Sequence, residues 1–306
     1  MNRVAAIDVG TNSVRLLVAE PGEPLNSVER LMKVTRLGAG VDSTGRLDDA
    51  ALARTLDCIA DYAARWQALG AVRARITATS AIRDAADRDR FFDGVRERTG
   101  VVAEVLTGEE EARTAFRGAT GAVSGEPPYL VLDIGGGSTE FILGVDEPEA
   151  MTSRQLGCVR LTERALLSDP PTSGEIDRAA DIIDAELDAV ARLFDPGRAR
   201  TLIGVAGTVT TLGALHLGLD RYEPERIHGA RVPIAAVHEL TERLAALPSA
   251  RRADLGPMAP GREDVIVGGA LILRRVMERF GFGDVLVSET DILDGLAISL
   301  LDGSRP

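Results

Sequence analysis

The sequence has almost no lysine, very little cysteine and no long hydrophobic run. Lys33 is the only lysine, so nearly every positive charge among the 306 residues belongs to arginine. No apolar run approaches the roughly 20 residues that a membrane-spanning helix needs. The two cysteines, Cys58 and Cys158, lie far apart and match no metal-binding or redox spacing. We therefore expect two core thiols in a reducing compartment, and no disulfide framework.

Further absences exclude several functional classes. The N-terminus enters a strand without a basic segment or a cleavage site, so we expect no signal peptide and a cytoplasmic protein. The net charge of −12 argues against broad binding to nucleic acid, although local arginines can still bind a phosphate-rich substrate. Neither a Gly-Lys-Ser/Thr loop nor a Gly-x-Gly-x-x-Gly turn after the first strand is present. The three histidines, His216, His228 and His238, suggest no ligand cluster and no catalytic triad.

One stretch of the sequence occurs twice. Residues 5–20 read AAIDVGTNSVRLLVAE, and residues 130–145 read LVLDIGGGSTEFILGV. Each copy predicts a strand, a tight turn and a second strand, because apolar runs flank a short glycine-containing segment. The residues that match between the two copies are Asp8 with Asp133, Gly10 with Gly135, and Ser13 with Ser138.

The chemistry of these turns favours a phosphate ligand. Glycine lets a ligand approach the main chain, and small residues leave backbone N–H groups available to an anion. An Asp at the end of a strand can hold Mg²⁺, which prefers oxygen ligands together with substrate phosphates. If the two hairpins face each other, they would form a two-sided clamp on a phosphate chain.

Two further stretches combine strand ends with charged side chains. TSAIRD (residues 79–84) follows a short strand and places Arg83 in the first turn of a helix. We predict that this helix runs to about Thr99 and that a strand follows over residues 101–106. In TGEEEARTAFRG (residues 107–118), Thr107 and Glu110 predict a capping box at the start of a helix. Glu111 is not needed for that cap, and it follows a strand, where it could orient or deprotonate a water molecule. A solvated surface role for Arg83 and a purely structural role for Glu111 stay open at this point.

A third glycine-rich turn occurs in TLIGVAGTVTTLGAL, residues 201–215. Gly207 and Thr208 would present backbone N–H groups and a hydroxyl at a helix N-terminus, which is an anion-binding arrangement.

Farther along the chain, we predict a long helix over residues 261–279 that carries Arg262, and a final helix over residues 288–301. The Gly- and Pro-containing segment 119–128 is the predicted domain boundary.

Seven segments, taken together, resemble one family. IDVGTNSVRLLV, TSAIRD, TGEEEAR, LDIGGGSTEFILG, LGCVRLTE, GVAGTVTTL and GREDVIVGGALIL are similar to motifs of the exopolyphosphatase / guanosine pentaphosphate phosphohydrolase family. That family lies within the actin, sugar-kinase and heat-shock-ATPase superfamily. The segments run from residue 5 to about residue 273, so the resemblance covers essentially the whole chain.

The resemblance implies an α/β fold of two duplicated ribonuclease-H-like (actin-like ATPase) domains with a phosphate chain bound in an interdomain cleft. The N-terminal domain would comprise residues 1–120 and the C-terminal domain residues 121–290, with a helix over residues 291–306 packing back on the first domain. Mg²⁺, or Mn²⁺ in its place, would be the cofactor. A homodimer is also implied, with no nucleic-acid or membrane partner.

The resemblance also assigns roles to residues. Glu111 matches the family's catalytic glutamate, which activates the attacking water. Asp133 and Glu140 match acids of the second hairpin that are associated with metal binding and catalysis, and Asp8 matches the corresponding metal-binding acid of the first. The residues expected to bind phosphate are Thr11, Asn12, Ser13, Arg15, Arg83, Gly135, Gly136, Gly137 and Ser138, with Gly207 and Thr208 added from the third turn, whose ligand stays open.

The resemblance favours hydrolysis of the terminal phosphate of inorganic polyphosphate. Removal of the 5′ γ-phosphate of guanosine pentaphosphate is the alternative within the same class, since the sequence shows no decisive purine pocket. A sugar or acid kinase and a non-catalytic nucleotide or alarmone sensor are alternatives from other classes. Longer family members carry additional C-terminal helical domains that this sequence lacks, so we expect shorter chains to be favoured. The segment SETDILDGLA (residues 288–297) departs from the arginine-containing version common in the family.

Overall fold

The computed structural model describes residues 2–303, which form two compact units. The first unit comprises residues 2–121 together with residues 291–303, and the second comprises residues 122–290. Each unit is built on one β-sheet with helices packed against it. The chain therefore leaves the first unit after residue 121 and returns to it at Asp291.

The first unit contains five strands and six helices. The strands are β1 (Val4–Val9), β2 (Ser13–Glu20), β3 (Asn26–Val34), β4 (Arg73–Ala78) and β5 (Glu104–Val105). The helices are α1 (Val41–Thr44), α2 (Asp49–Ala68), α3 (Ser80–Asp84), α4 (Asp89–Thr99), α5 (Gly108–Thr120) and, after the chain has returned, α13 (Ile292–Asp302).

The strand order in the first unit is β3-β2-β1-β4-β5. Strands β1, β2 and β3 form an antiparallel meander, whereas β4 runs parallel to β1 and β5 parallel to β4. Every residue of β1 is buried, because helices cover the sheet on both faces. Ala5, Ile7 and Val9 of β1 point toward the core that includes α2 and α4. Helix α13 packs on the other face, against α5 and against β1, β2 and β4.

The second unit contains six strands and seven helices. The strands are β6 (Tyr129–Ile134), β7 (Thr139–Gly144), β8 (Pro148–Arg154), β9 (Thr201–Val205), β10 (Arg231–Pro233) and β11 (Asp284–Val287). The helices are α6 (Cys158–Ala165), α7 (Ser173–Leu193), α8 (Ala206–His216), α9 (Pro224–Ile227), α10 (Ile234–Ala246), α11 (Ser249–Ala253) and α12 (Ile266–Phe280), and a short 3-10 turn covers Pro196–Arg198.

The second sheet has the order β10-β11-β9-β6-β7-β8. Strands β6, β7 and β8 form the same antiparallel meander, and β9 and β11 continue the sheet in parallel, so that only β10 is additional. Its core combines these strands with α6, α7, α8, α10 and α12. The predicted α/β class is confirmed, and the repeated strand order is the structural counterpart of the repeated sequence.

Two predicted elements of the first unit were wrong in their bounds. The helix predicted to continue to about Thr99 is split into α3 and α4. At the break, Asp87 accepts a hydrogen bond from the Leu47 backbone N–H at 3.0 Å, and Ala86 N–H donates to Gly45 O at 2.9 Å. The predicted strand over residues 101–106 is reduced to the two residues of β5. The helix breaks because of contacts with the preceding loop, and a local sequence pattern does not reveal such contacts.

Two late helices begin later than predicted. The helix predicted from residue 261 begins at Ile266, so Arg262 lies in the turn that precedes α12. The final helix begins at Ile292 rather than at residue 288, because Ser288 N–H continues the sheet by bonding to Gly204 O at 2.9 Å. The resemblance implied a helix over residues 291–306, of which residues 304–306 lie outside the described residues.

Two other expectations concern the cysteines and membrane-spanning helices. Cys58 and Cys158 are both buried and unpaired thiols, as expected of core cysteines. Within residues 2–303, no helix combines the length and the apolar character that crossing a membrane requires.

Candidate functional site

The two repeated hairpins have the same turn geometry. In the first, Gly10 N–H donates to Ser13 O at 3.0 Å, and in the second, Gly135 N–H donates to Ser138 O at the same distance. The strands that flank each turn are paired in the same register, from Val9 opposite Val14 in one hairpin and from Ile134 opposite Thr139 in the other. The sequence repeat therefore encodes one local structure, formed twice.

The first turn has its carbonyl groups held by the segment that follows β3. Thr11 O accepts from Gly38 N–H at 2.8 Å, and Asn12 O accepts from the backbone N–H groups of Thr35 and Arg36 at 3.0 and 2.9 Å. Within the described residues, the N–H groups of Thr11 and Asn12 make no hydrogen bond. The buried Oδ1 atom of Asn12 also lacks a partner there. Oriented N–H groups without protein partners are the features of a phosphate-binding turn.

The second turn is held in the same manner by the N-terminus of α6. Gly135 O accepts from Cys158 N–H at 2.9 Å, and Gly136 O accepts from Val159 N–H at 2.9 Å. Gly157 is in backbone contact with the turn, since a Cβ atom added to it would lie 2.3 Å from Gly136 O. In the described part of the chain, the N–H groups of Gly136 and Gly137 form no hydrogen bond. The N-terminus of α6 thus binds the carbonyl oxygens of the turn, and the N–H groups of Gly136 and Gly137 remain available to a ligand.

The two hairpins differ in the residue opposite the shared aspartate. Asp8 lies opposite Arg15, which donates to Asp8 Oδ2 from Nη2 at 2.7 Å and from Nε at 3.2 Å. Asp133 lies opposite Glu140, and both of these carboxylates are buried. Two carboxylates directly opposite each other repel unless positive charge lies near them. The first hairpin therefore sets an arginine opposite its aspartate, whereas the second sets a glutamate there, and two carboxylates are oxygen donors that suit a cation.

Burial dominates the electrostatics of Asp8. Burial raises the pKa of Asp8 above its ordinary value. The neighbouring Arg15 acts in the opposite direction but does not cancel this effect. Asp8 Oδ1 is buried and has no hydrogen-bond partner among residues 2–303. A buried carboxylate oxygen without a donor is costly, and a divalent cation at that atom would offset the cost.

Glu111 lies at the start of α5 and contacts Arg83. Thr107 and Glu110 form the predicted capping box, in which Glu110 N–H donates to Thr107 Oγ1 at 3.1 Å and Thr107 N–H donates to Glu110 Oε2 at 2.9 Å. The cap does not involve the Glu111 side chain, of which Oε2 lies 3.1 Å from Arg83 Nη1. Arg83 Nη1 also donates to Leu106 O at 2.9 Å, so the guanidinium is fixed at the end of β5. Glu111 is 6% exposed and is therefore shielded from bulk water.

A hydrogen bond connects the first turn to the helix that carries Arg83. Thr11 Oγ1 and Ser80 Oγ lie 2.9 Å apart, and Ser80 is the first residue of α3. Strands β1, β4 and β5 are neighbours, and the turn, α3 and α5 follow their carboxyl ends. Ligands of open α/β sheets bind at such ends. The structure therefore brings Thr11, Arg83 and Glu111 to one edge of the first sheet.

The third turn lies at the N-terminus of α8. Ala206 has a φ of 63°, a left-handed conformation that is uncommon for residues other than glycine. The guanidinium of Arg262 lies against Gly207, since a Cβ atom added to that glycine would be 1.7 Å from Arg262 Nη1. The Thr208 side chain is buried and contacts Gly269 and the thiol of Cys158, whose pKa is raised mainly by burial. Of the predicted groups at this turn, the backbone N–H groups rather than the Thr208 hydroxyl suit an anion.

The described residues hold no preformed cage for a metal ion. Among residues 2–303, no group of three or more His, Cys, Asp and Glu side chains could bind one together. Mg²⁺ retains several water ligands and usually binds to one or two carboxylates together with substrate phosphates. Asp8 in the first unit and the Asp133–Glu140 pair in the second are oxygen donors of that kind.

Several contacts at these turns were not predicted from the sequence. No contact with a turn was predicted for Ser80, Gly157 or Arg262, although each lies in a segment that resembles the family. Arg15 was expected to bind phosphate, and the structure ion-pairs it with Asp8 and with Asp291, which is 276 residues away in the chain. No local sequence pattern relates two residues that are so far apart in the chain.

A family model and a named relative each match almost the whole chain. The sequence model described as the Ppx/GppA phosphatase family matches residues 17–303. A protein named Exopolyphosphatase 2, from Mycobacterium tuberculosis, is 46% identical over 315 aligned positions, which cover 98% of this chain and 99% of that protein.

Solved structures extend the comparison to three dimensions. The crystal structure of an exopolyphosphatase-like protein superposes with a TM-score of 0.93 at 38% identity, covering 97% of this chain and 98% of the other. The Ppx/GppA family member from Aquifex aeolicus superposes with a TM-score of 0.83 at 30% identity and covers 99% of both chains.

Proposed function

Since the chain belongs to the Ppx/GppA phosphatase family, we propose that it is an exopolyphosphatase. It would hydrolyse the terminal phosphate of inorganic polyphosphate and release orthophosphate. The observation that carries this proposal is the position of Glu111, a buried carboxylate held by Arg83 at the same sheet edge as the N–H groups of the first turn. The name of the full-length relative from Mycobacterium tuberculosis points to the same activity.

Glu111 is the proposed activator of water. Arg83 binds one of its oxygens, and the capping box next to it fixes the backbone, so the carboxylate has a defined orientation. The water oxygen would attack the terminal phosphorus while Glu111 accepts a proton from that water. The bond between the phosphorus and the bridging oxygen breaks, and the shortened chain departs with the bridging oxygen and its electron pair. Such reactions depend on positioning and charge neutralisation more than on covalent catalysis.

Backbone N–H groups are the proposed principal ligands of the phosphate groups. In the first unit these belong to Thr11 and Asn12, and in the second to Gly136 and Gly137, with Ser138 adding a hydroxyl. Arg83 is proposed to contact phosphate through its remaining N–H groups while Nη1 holds Glu111 and Leu106. The other phosphate-binding residues proposed from the family resemblance are Ser13, Arg15, Gly135, Gly207 and Thr208.

Mg²⁺, or Mn²⁺ in its place, is the proposed cofactor. Asp8 fits such a cation because Oδ1 is buried without a donor, and Asp133 and Glu140 fit one because two carboxylates lie opposite each other. When bound, the cation would neutralise charge on the phosphate oxygens. The chain's own carboxylates would hold it at the turns, and the arginines would bind the remaining phosphate charge.

The first experiment compares three substrates. Purified protein with Mg²⁺ would be given short polyphosphate, long polyphosphate and guanosine pentaphosphate at equal concentrations of terminal phosphate, and orthophosphate release would be measured. A Glu111→Gln variant purified in parallel controls for a contaminating phosphatase. We expect rapid release from polyphosphate, faster from short than from long chains, and slow release from the nucleotide.

Each other result points to a different function. Preference for guanosine pentaphosphate would make the protein a nucleotide phosphohydrolase and overturn the proposed substrate. ADP formation from ATP in the presence of an acceptor would favour a kinase. Tight binding of the nucleotide without turnover would favour a sensor. The proposed homodimer is tested separately, by light scattering of the eluting protein.

A further inference from the structure

Five charged side chains form a connected row in the first unit. Asp8, Arg15 and Arg30 lie on the adjacent strands β1, β2 and β3, and Asp291 and Asp294 lie at the N-terminus of α13. Arg15 bonds to Asp8 and Asp291, and Arg30 Nη2 lies 2.6 Å from both oxygens of Asp294. The row therefore connects the metal-binding candidate Asp8 to the helix that follows the chain's return from the second unit.

Arg15 bonds to only one oxygen of Asp8. Its Nη2 and Nε atoms both donate to Oδ2, at 2.7 and 3.2 Å, while Oδ1 is buried and has no partner among the described residues. A guanidinium opposite a carboxylate usually binds both oxygens, one with each arm of its planar fork. The geometry at Asp8 departs from that arrangement and leaves one oxygen open.

Asp291 provides the reason for this departure. Arg15 Nη1 donates to Asp291 Oδ2, and this bond holds the guanidinium in the orientation in which Nε and Nη2 both meet Asp8 Oδ2. Asp291 is itself fixed: its Oδ1 accepts from Leu293 N–H at 3.0 Å, and its own N–H donates to Asp294 Oδ2 at 2.9 Å. The capping box of α13 thus holds Asp291 in place, and Arg30 holds Asp294.

We infer that Asp291 is a positioning residue for the divalent cation that Asp8 would hold, because its bond to Arg15 Nη1 fixes the guanidinium in an orientation that leaves Asp8 Oδ1 open. This inference rests on the proposed function, in which Asp8 is a metal ligand. Asp291 does not itself need to touch the cation or the substrate. Both acidic side chains of the segment SETDILDGLA, at positions 291 and 294, form ion pairs with arginines from strands.

The variant that tests this is Asp291→Asn. Asparagine caps helices about as well as aspartate does, so the cap of α13 is retained while the negative charge is lost. Arg15 would then bind Asp8 more strongly and compete with the cation. We expect divalent-cation affinity to fall by about tenfold, the size of effect typical for directly coupled charged groups. Asp294→Asn, which frees Arg30 to approach Asp291 from its present 3.8 Å, should weaken the affinity in the same direction but less.

Free Mn²⁺, measured by electron paramagnetic resonance during titration of the protein, reports binding without catalysis. The matched control is Asp48→Asn, since Asp48 caps α2 by accepting from Ala51 N–H at 2.8 Å and takes part in no ion pair within the described chain. Circular dichroism checks that each variant folds. In turnover assays, the Asp291 variant should need more metal for half-maximal rate and regain most of its kcat at saturating metal.

The results separate this inference from the proposed function. If wild-type protein binds no Mn²⁺, or if Asp8→Asn binds it as tightly as wild type, the metal role of Asp8 is wrong and the inference falls with it. If Asp8→Asn weakens binding but Asp291→Asn and Asp294→Asn match wild type and Asp48→Asn, the metal role stands and the positioning role of Asp291 is wrong. If Asp291→Asn does not fold, the Mn²⁺ affinity of Asp294→Asn is compared with that of wild type and Asp48→Asn in its place.

Discussion

Arg83 Nη1 lies 3.1 Å from Glu111 Oε2 and 2.9 Å from the carbonyl oxygen of Leu106. One donor group thus connects the end of β5, the start of α5 and the side chain proposed to activate water. The Arg83 side chain is 22% exposed, so it also reaches the surface at the sheet edge. This contact makes the roles of the two residues experimentally separable.

Replacing Glu111 by glutamine should abolish most turnover and leave the fold intact. Glutamine keeps the size and one oxygen of the side chain but accepts protons poorly, so we expect kcat to fall by about 10²–10⁴-fold. Phosphate release measures the loss, and circular dichroism measures the fold. Glu109→Gln is the control, because Glu109 occupies the same helical turn and, among residues 2–303, forms an ion pair only with the exposed Arg113. Full activity in the Glu111 variant would remove the proposed role of that residue.

A double-mutant cycle with Arg83→Lys can separate orientation of Glu111 from phosphate binding. Lysine keeps the charge but cannot bond Leu106 O and Glu111 in the same geometry. If Arg83 orients Glu111, the loss of kcat from Arg83→Lys should disappear in the Glu111→Gln background, since coupled residues are not additive. If Arg83 also binds phosphate, substrate affinity should weaken in both backgrounds. Equal losses of kcat in both backgrounds would show that Arg83 does not act through Glu111.

Gly157→Ala should disturb the second phosphate turn. The added methyl group would lie 2.3 Å from Gly136 O, which is backbone and cannot move aside independently. We expect destabilisation of about 1–3 kcal/mol and weaker polyphosphate binding, measured by calorimetric Tm and by equilibrium binding. Gly174→Ala, in α7 of the same unit, is the control because its added Cβ would meet no heavy atom within 4 Å. Unchanged substrate binding by the Gly157 variant would argue against the role of α6 in shaping the turn.

Glu175 gives a prediction about pH and stability. Hydrogen bonds, first from the Thr172 backbone and also from the Thr172 and Ser168 hydroxyls and Leu167 N–H, lower the pKa of Glu175 from 4.5 to about 2. Because the folded-state pKa is lower, the ionised carboxylate stabilises the folded protein fully above pH 4.5. That contribution should be lost as pH falls from 4.5 toward 2.

Thermal unfolding of Glu175→Gln measures this contribution. We expect its Tm to lie about 2–4 °C below wild type between pH 5 and 8, with the difference shrinking below pH 4.5. Glu239→Gln, at an exposed position of α10, is the control for removing a charge from the same unit. A difference in Tm that stays constant down to pH 3 would contradict the assigned pKa.

The features that could be read from the sequence are those set by neighbouring residues. The two hairpins follow from short apolar runs around small residues, and the Thr107–Glu110 capping box follows from a three-residue spacing. Matching the two copies also identified Asp8 and Asp133 as equivalent, and the structure gives them the same place in the same register. These depend on backbone geometry over a few residues, which local sequence determines.

Tertiary structure decided the contacts that orient the site. The break between α3 and α4 depends on the loop around Leu47, and the backbone of the second turn is set by α6, more than 20 residues later. Arg15 belongs to the motif of the first hairpin, and its ion-pair partner Asp291 comes from the other end of the chain. Because a folded chain brings together residues that no local spacing relates, the sequence determined which elements form and which residue types they carry, and packing alone determined which charges meet.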